Sequence, residues 1–277
     1  MMGAYCFLNG RIVLCKRAGM PLNDLGVLRG YGVFDFLRTY NKKPFLMKEH
    51  LDRLEQSARR LHLAIPVPRE DIEKAVYTLI RKNAFPETSL RFVLTGGISA
   101  TGFFPEEKPT FFILAEKSEA MPEYMYQRGI SVVTHEYLRD IPEAKTNNYM
   151  IAVKMRNLKK NKRFVEMLYM YQGNILEATT SNIFFVKGNT LITPKKNILV
   201  GTTRNFVIRL ARKDFRIEER DVHIDEIKQV SEAFLTATNK EILPVVRINK
   251  YVIGDGKVGL HTKELMSRFR AHTASLK

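Results

Sequence analysis

Three groups in the second half of the chain point to chemistry: a lysine, a glutamate in an apolar stretch, and a glycine followed by two threonines. They are Lys145 in EAKTNNYM, Glu177 in GNILEATTSN, and the segment Gly201-Thr202-Thr203. A lysine amine binds an aldehyde covalently, and a carboxylate holds a ring nitrogen in its protonated form. A glycine and hydroxyl residues at a helix start bind phosphate, although the same pattern is also a common helix N-cap. Since a glutamate among apolar residues is costly unless it is paired, Glu177 is a candidate for a functional role.

One cofactor, pyridoxal 5′-phosphate, needs all three groups together. The chain resembles the class IV aminotransferases, or fold type IV pyridoxal-phosphate enzymes, which include branched-chain and D-amino acid aminotransferases and aminodeoxychorismate lyase. The matching stretches run in family order over nearly the whole chain: GVLRGYGVFDFLRTYN (26–41), HLDRLEQSARRL (50–61), AKTNNYM (144–150), GNILEATTSNIFFV (173–186), ILVGTTRNFVI (198–208) and FLTATNKEILPV (234–245). The resemblance implies a transaminase with this cofactor.

The resemblance also assigns roles to single residues. Lys145 is expected to bind the cofactor covalently and to move the α-proton of the substrate, and Glu177 is expected to pair with the ring nitrogen. Tyr149 is expected to donate to the phenolic oxygen, with Arg139 as a competing candidate. The residues expected around the phosphate are Arg53 of the H-x-x-R-L motif, Thr202, Thr203 and Thr238. No metal site is predicted.

The substrate residues depart from the patterns of the best-known relatives. Tyr31 lies where several relatives place a substrate-side tyrosine, and Arg29 precedes it in R-G-Y-G, where many relatives have R-G-D-G. Asp35-Phe36 replaces the Glu-Gly of branched-chain enzymes. The loop 96–105 lacks the Arg-x-His carboxylate trap of well-known D-amino acid enzymes, but Arg91 lies a few residues upstream on a predicted strand. We therefore expect Arg29, Tyr31 and Arg91 to bind substrate.

Two arginines are costly in a pocket built only for leucine or valine, because an uncompensated buried charge is unfavourable. They suit carboxylates on both substrates, since a planar guanidinium binds a carboxylate through two hydrogen bonds. The sequence therefore predicts a transaminase for D-alanine and D-glutamate, with 2-oxoglutarate or pyruvate as acceptor. The alternatives are a branched-chain L-amino acid aminotransferase and, third, aminodeoxychorismate lyase. Both arginines also have a structural alternative, in which Arg91 faces solvent and Arg29 closes an ion pair.

The composition narrows the class of protein further. The chain has 277 residues and a formal net charge of +16, with a basic run that consists of Lys154, Arg156, Lys159, Lys160, Lys162 and Arg163. Because no nucleic-acid motif accompanies this run, a solvated helix face is favoured over a nucleic-acid site. No apolar run is long enough for a membrane span, and the N-terminal segment does not resemble a signal peptide. The two cysteines, Cys6 and Cys15, give no disulfide framework, which favours the cytoplasm.

The predicted elements fit a mixed α/β (α+β) fold of two domains. Hairpins are expected at Asn9-Gly10, Gly173-Asn174 and Gly188-Asn189, because Gly and Asn pairs between β-branched runs favour tight turns. Helices are expected over residues 47–63, 69–84, 205–212 and 258–269. We predict a small N-terminal domain (1–117), a linker (118–124) and a larger, barrel-like cofactor-binding domain (125–277). The resemblance places the cofactor between the domains and implies a homodimer.

Overall fold

The structure, a computed structural model, describes residues 1–156 and 165–276. Contacts divide the described chain into two compact units, each with its own sheet. The first unit contains Met1–Glu119, the segment Ala144–Tyr149 and Leu276, and the second contains the described parts of Ala120–Glu143 and Met150–Ser275. This arrangement confirms the predicted mixed α/β fold class.

The first unit consists of one antiparallel sheet and helices. Its strands are β1 (Met2–Leu8), β2 (Arg11–Leu14), β3 (Gly32–Tyr40), β4 (Lys43–Pro44), β5 (Thr88–Thr95) and β6 (Thr110–Lys117), in the order β2-β1-β6-β5-β3-β4. Its helices are α1 (Leu25–Leu28), α2 (Met47–Arg60) and α3 (Arg69–Asn83), with a short 3-10 helix at Cys15–Arg17. The predicted hairpin at Asn9-Gly10 is present. Both turn residues have positive φ, 44° and 89°, as a two-residue turn between twisted strands requires.

Helix α2 carries the apolar stripe that its sequence predicts. Leu51, Leu54 and Ala58 are buried, and they recur at the helical spacing that places them on one face. The helix packs against β3, so polar residues on the same side of α2 lie close to that strand. This packing positions one part of the candidate site.

The second unit contains a larger mixed sheet and four helices among the described residues. Its strands are β7 (Ile130–Glu136), β8 (Glu166–Tyr171), β9 (Asn174–Ala178), β10 (Asn182–Lys187), β11 (Thr190–Thr193), β12 (Arg216–Glu219), β13 (Val222–His223), β14 (Glu232–Ala237), β15 (Glu241–Ile248) and β16 (Tyr251–Val252). Their order is β12-β11-β10-β14-β15-β7-β8-β9-β13, with β16 on β15. The helices are α4 (Glu123–Arg128), α5 (Met150–Arg156), α6 (Thr202–Ala211) and α7 (Leu260–Ala274), with a 3-10 helix at Ile224–Gln229.

Two hairpins of this sheet carry the segments that the sequence singled out. β10 and β11 turn at residues 188–189, as predicted, and β8 and β9 turn at residues 172–173, one position earlier than predicted. Apolar side chains from β10, β14 and β15, such as Phe185, Leu235 and Leu243, are fully buried in one cluster. The sheet therefore gives the residues at its strand ends a rigid support.

The contact-based units differ from the predicted domains in one respect. The change from the first unit to the second falls at residues 119–120, within the predicted linker, but Ala144–Tyr149 groups with the first unit although it was assigned to the second domain. The reason is that the backbone of Lys145 and Asn147 forms hydrogen bonds with the start of β3. Of the predicted basic run, Lys159, Lys160, Lys162 and Arg163 lie outside the described residues. Among the described helices, none has the length and apolarity needed to cross a bilayer.

Candidate active site

Lys145 is fixed in the first unit by its backbone. Its carbonyl accepts from the N–H of Phe34 at 2.9 Å, and its own N–H donates to the Ser57 hydroxyl of α2 at 3.1 Å. Two residues further on, the N–H of Asn147 donates to the Gly32 carbonyl at 2.9 Å. These bonds attach the lysine segment to the start of β3 and to α2, although the segment is distant in sequence from both.

The Lys145 ammonium lies over an aromatic ring of the same unit. Its Nζ is 4.4 Å from the centre of the Phe34 ring and 6.0 Å from that of Tyr149. The two rings meet edge to face, with centroids 5.3 Å apart. The predicted phenol donor, Tyr149, is therefore close to the predicted catalytic lysine, while its role toward the phenolic oxygen stays a prediction.

Arg53 lies on α2, one helical turn before Ser57, and binds a carboxylate on β3. Its Nε donates to Asp35 Oδ2 at 2.8 Å and its Nη2 to Asp35 Oδ1 at 2.9 Å. Burial alone would raise the pKa of Asp35, but the charge of Arg53 and the hydrogen bond from His50 hold that pKa well below its usual range. The guanidinium that the sequence assigned to the phosphate thus has a fixed partner.

Glu177 lies at the end of β9 in the second unit, and its charge is compensated there. Its Oε1 accepts from Arg139 Nε at 2.8 Å and lies 2.6 Å from Arg139 Nη2, and its Oε2 accepts from the Leu199 N–H at 3.0 Å. Both side chains of the ion pair are largely buried, 9% exposed for Glu177 and 15% for Arg139. Arg139, which the sequence offered for the phenolic oxygen, is in contact with the ring-nitrogen candidate.

The loop between β11 and α6 links Glu177 to the predicted phosphate site. Asn182 Nδ2 donates to the Leu199 carbonyl at 2.8 Å. Glu177 therefore binds the N–H of Leu199, and Asn182 binds its carbonyl. Gly201 follows as the N-cap of α6, and a Cβ there would come within 2.2 Å of Asn182 Oδ1. Only glycine allows this close approach.

The predicted threonines lie near this loop or at a neighbouring strand end. Thr202 and Thr203 form the first turn of α6 and are buried, and Thr238 is half-buried directly after β14. β14 pairs with β10 through Thr236 and Asn182, so the two predicted phosphate segments adjoin the same strand. The first N–H groups of a helix have no intrahelical partner, and a glycine N-cap supplies no side-chain oxygen to replace one.

The donors present fit pyridoxal 5′-phosphate by their chemistry. Within the second unit, a helix start with two threonines suits a doubly charged phosphate, and a carboxylate held by Leu199 suits a protonated ring nitrogen. The clash that a Cβ would cause at Gly201 is a feature of a closely packed loop rather than of an exposed N-cap. Within the first unit, Arg53 and Lys145 are both attached to α2 and β3 and provide a cation and an amine.

The predicted substrate residues all belong to the first unit. Arg91 on β5 stacks over Phe36 and Phe34, with Cζ 5.2 and 5.9 Å from the two ring centres, and pairs with Glu116 at 3.6 Å. Arg29 is exposed, and its Nη1 donates to the carbonyl of Leu28. The Tyr31 hydroxyl donates to the Leu61 carbonyl after α2. Substrate binding by the three residues stays a prediction.

The sequence assigned no role to several residues near the site. Asp35 and His50 bond to each other and to Arg53, and Lys240 pairs with Glu166 beneath the turn that follows Glu177. The signals available were Asp35 at the place of a family glutamate and His50 in the H-x-x-R-L motif. Neither signal gives the partner, because the partner depends on how α2 packs on β3.

Known proteins resemble this chain over most of its length. A family model described as amino-transferase class IV matches residues 32–248. A putative branched-chain-amino-acid aminotransferase of Methanocaldococcus jannaschii is 34% identical, over 95% of this chain and 94% of that protein. A D-alanine aminotransferase of Listeria monocytogenes is 27% identical, over 95% of this chain and 93% of that protein.

A solved structure shares the fold. The branched-chain amino acid aminotransferase of T.th., crystallised with pyridoxamine 5′-phosphate, superposes with a TM-score of 0.91. The match covers 99% of this chain and 95% of that one at 24% sequence identity. Similarity thus extends over nearly the whole chain and includes proteins named for branched-chain amino acids and for D-alanine.

Proposed function

The chain belongs to the class IV aminotransferases, whose cofactor is pyridoxal 5′-phosphate, and on that premise we propose that it transfers amino groups between D-amino acids and 2-oxo acids. The proposed donors are D-alanine and D-glutamate, and the proposed acceptors are 2-oxoglutarate and pyruvate. The family membership supports the reaction type. The proposed substrate preference is argued from contacts of Lys145 and Arg91 in the first unit. A cytoplasmic location stays a prediction.

Each residue of the proposed machinery has a task that its contacts support. When bound, the cofactor supplies an electron sink for the electron pair that the departing α-proton leaves behind. Lys145 Nζ takes up that proton and returns it during the reaction. Glu177 would accept a hydrogen bond from the protonated ring nitrogen of the bound cofactor, while Arg139 and Leu199 keep the carboxylate in place. Arg53, Thr202, Thr203 and Thr238 would hold the phosphate of the cofactor, and Tyr149 would donate to its phenolic oxygen.

The observation that carries the substrate proposal is that the Lys145 ammonium and the Arg91 guanidinium both lie near the Phe34 ring. Lys145 Nζ lies 4.4 Å and Arg91 Cζ 5.9 Å from the centre of the Phe34 ring. The side chain of Arg91 is 39% exposed, and its ion pair with Glu116 is long at 3.6 Å, so its fork has capacity for a second carboxylate. These contacts support the proposal that a carboxylate of an amino acid bound at Lys145 is held by the Arg91 guanidinium.

A branched-chain L-amino acid aminotransferase is the second candidate. Two relatives above carry that description, and the aromatic rings of Phe34 and Phe36 provide apolar surface on the same face of β3. Under this proposal, Arg91 is neutralised by Glu116 and serves only to pack against the rings. Aminodeoxychorismate lyase is the third alternative, with no specific contact in its favour.

A panel of half-reactions separates the candidates. The holoenzyme is mixed in turn with D-alanine, D-glutamate, L-leucine and L-valine, and the change in the cofactor spectrum is followed. We expect the D-amino acids to react at least about tenfold faster, which corresponds to about 1.4 kcal/mol of difference in transition-state free energy. A faster reaction of L-leucine or L-valine contradicts the D-specific proposal and favours the second candidate.

The role of the arginines is tested with Arg91→Ala and Arg29→Ala. Loss of a charge-assisted carboxylate contact costs about 1.5–3 kcal/mol, so we expect the KM for 2-oxoglutarate to rise about 10-fold to 100-fold while cofactor affinity is unchanged. Arg81→Ala, at an exposed arginine of α3, is the matched control. Unchanged KM values in both arginine variants rule out their role in carboxylate binding.

A further inference from the structure

Asp35 is a fully buried carboxylate in the middle of β3, and four hydrogen bonds converge on it. Its Oδ1 accepts from the Phe36 N–H at 2.7 Å, from His50 Nδ1 at 2.7 Å and from Arg53 Nη2 at 2.9 Å. Its Oδ2 accepts from Arg53 Nε at 2.8 Å. A buried carboxylate is tolerated only with such compensation, because removal of its charge from water is costly. The cluster is therefore a rigid unit of three side chains.

His50 serves this cluster as a neutral hydrogen-bond donor. Burial lowers the pKa of His50, and although Asp35 opposes this effect, the charges of Arg53 and Lys145 lower the pKa further. A neutral imidazole whose Nδ1 donates to Asp35 adds no charge to the cluster. Asp35 and Arg53 thus compensate each other one to one, and the negative charge of Asp35 is committed to a single guanidinium.

The two bonds from Arg53 to Asp35 determine which part of the guanidinium is available to a ligand. Nε and Nη2 are both used by the carboxylate, as a planar fork requires. The third nitrogen of the Arg53 guanidinium, Nη1, has no hydrogen bond or ion pair with residues 1–156 and 165–276. The Arg53 side chain is 11% exposed, so little of the guanidinium faces solvent.

We propose that Asp35 is the positioning residue for phosphate recognition: it fixes the plane of the Arg53 guanidinium, so that Nη1 alone is presented to the phosphate of the cofactor. This inference rests on the proposed role of Arg53 in cofactor binding. A fixed guanidinium loses little rotational freedom when the phosphate binds, whereas a free arginine carries about 2 kcal/mol of rotamer entropy. Asp35 itself touches no ligand.

The test compares two probes that differ only in the phosphate. Dissociation constants for pyridoxal 5′-phosphate and for pyridoxal are measured by absorbance titration of the cofactor-depleted full-length protein. For Asp35→Asn we expect the constant for pyridoxal 5′-phosphate to rise about 10-fold to 100-fold, as for loss of one charge-assisted contact, while that for pyridoxal changes less than about twofold. Arg53→Ala is expected to show the same pattern. Asp52→Asn, on the helix that carries Arg53, is the matched control, because Asp52 pairs with Lys48 and Arg69 and not with Arg53.

The outcomes distinguish this inference from the proposed function. If Arg53→Ala loses the preference for the phosphorylated probe and a folded Asp35→Asn keeps it, Asp35 is only structural and the inference is wrong. If Arg53→Ala keeps the preference, Arg53 does not bind phosphate, and the proposed phosphate site itself fails.

A third variant covers the case in which Asp35→Asn does not fold. A lysine ammonium cannot form the fork, so Arg53→Lys is expected to lose the phosphate preference as fully as Arg53→Ala. If the lysine variant keeps most of the preference, a positioned guanidinium is not needed, and the inference is overturned.

Discussion

Lys145 is the residue whose role is tested most directly. Reduction of the native holoenzyme with borohydride, followed by peptide mapping, should place the cofactor label on Lys145, because this lysine is expected to hold the cofactor covalently. Lys145→Ala should lose the visible absorption band and transamination. The residues proposed to bind the phosphate are unchanged in this variant, so we expect it still to bind the cofactor. The peptide with Lys240, a buried lysine of the second unit, is the internal control and should be unlabelled. A label on Lys240 or on any other lysine contradicts the assignment.

Glu177 tests the electrostatic part of the site. Glu177→Gln removes the charge but keeps an oxygen that accepts from the Leu199 N–H, so the loop before α6 should keep its place. We expect the single-turnover rate to fall on the order of 10²-fold, because a charge-assisted contact to the ring nitrogen is lost. Glu232→Gln, at a buried glutamate that binds the start of α7, is the matched control and should leave the rate unchanged. Unchanged single turnover in Glu177→Gln shows that Glu177 is not the ring-nitrogen partner.

At the scale of elements, a buried ion pair joins Glu166 at the start of β8 to Lys240 just before β15, and its glutamate also binds the turn after β9. Glu166 accepts from the Thr180 N–H at 2.6 Å and the Ser181 hydroxyl at 2.9 Å, and Lys240 Nζ lies 3.5 Å from its Oε2. Lys240→Met leaves this carboxylate without its cation. Because both side chains are less than 10% exposed, we expect the free energy of unfolding at pH 7 to fall by about 3–5 kcal/mol. Lys187→Met, at an exposed lysine, is the control for denaturant unfolding, and equal effects of the two substitutions contradict the prediction.

The same pair predicts how stability depends on pH. Burial raises the pKa of Glu166, but Lys240 and the hydrogen bonds of the turn lower it by more, so the folded-state pKa lies below the ordinary value of 4.5. A lowered carboxylate pKa contributes stability that is present above the unfolded pKa and is lost as the pH falls through the folded one. We expect the wild-type protein to lose this contribution only below about pH 4.5, and the stability difference from Lys240→Met to shrink there. A difference that is constant from pH 7 to pH 3 contradicts this linkage.

At the scale of the whole molecule, the first unit leaves large apolar side chains exposed near the predicted substrate residues. Phe103 and Phe104 are each 68% exposed, and their rings lie 5.6 Å apart. Leu22, Val27 and Leu28 are also exposed. Because exposed apolar clusters mark interaction surfaces, and because the family resemblance implies a homodimer, we predict a dimer in sedimentation equilibrium. The double variant Phe103→Asp/Phe104→Asp should shift the mass toward the monomer, whereas Tyr77→Asp on α3 should not. A wild-type monomer rules the prediction out.

The sequence determined much of the local structure, because local structure depends on local chemistry. The turn at Asn9-Gly10 needs two residues that adopt positive φ at low cost, and Asn-Gly provides them. The helix α2 follows from the spacing of Leu51, Leu54 and Ala58, which needs no knowledge of the partner strand. The family, too, follows from the order of short stretches along the chain, since each of them carries its own residue types. Fold class and cofactor were therefore accessible before the structure.

The partners of the charged residues were decided only by the tertiary structure. Arg53 and Asp35 are 18 residues apart, and Glu177 and Leu199 are 22 apart, so no helical or strand periodicity relates them. The grouping of Lys145 with β3 depends in the same way on backbone hydrogen bonds to Phe34 and Gly32, which are distant from the lysine segment in sequence. A buried charge needs a compensating partner, and a charged residue within an apolar stretch of sequence, such as Glu177, indicates that one is needed. Which partner meets it depends on which side chains packing brings within hydrogen-bonding distance.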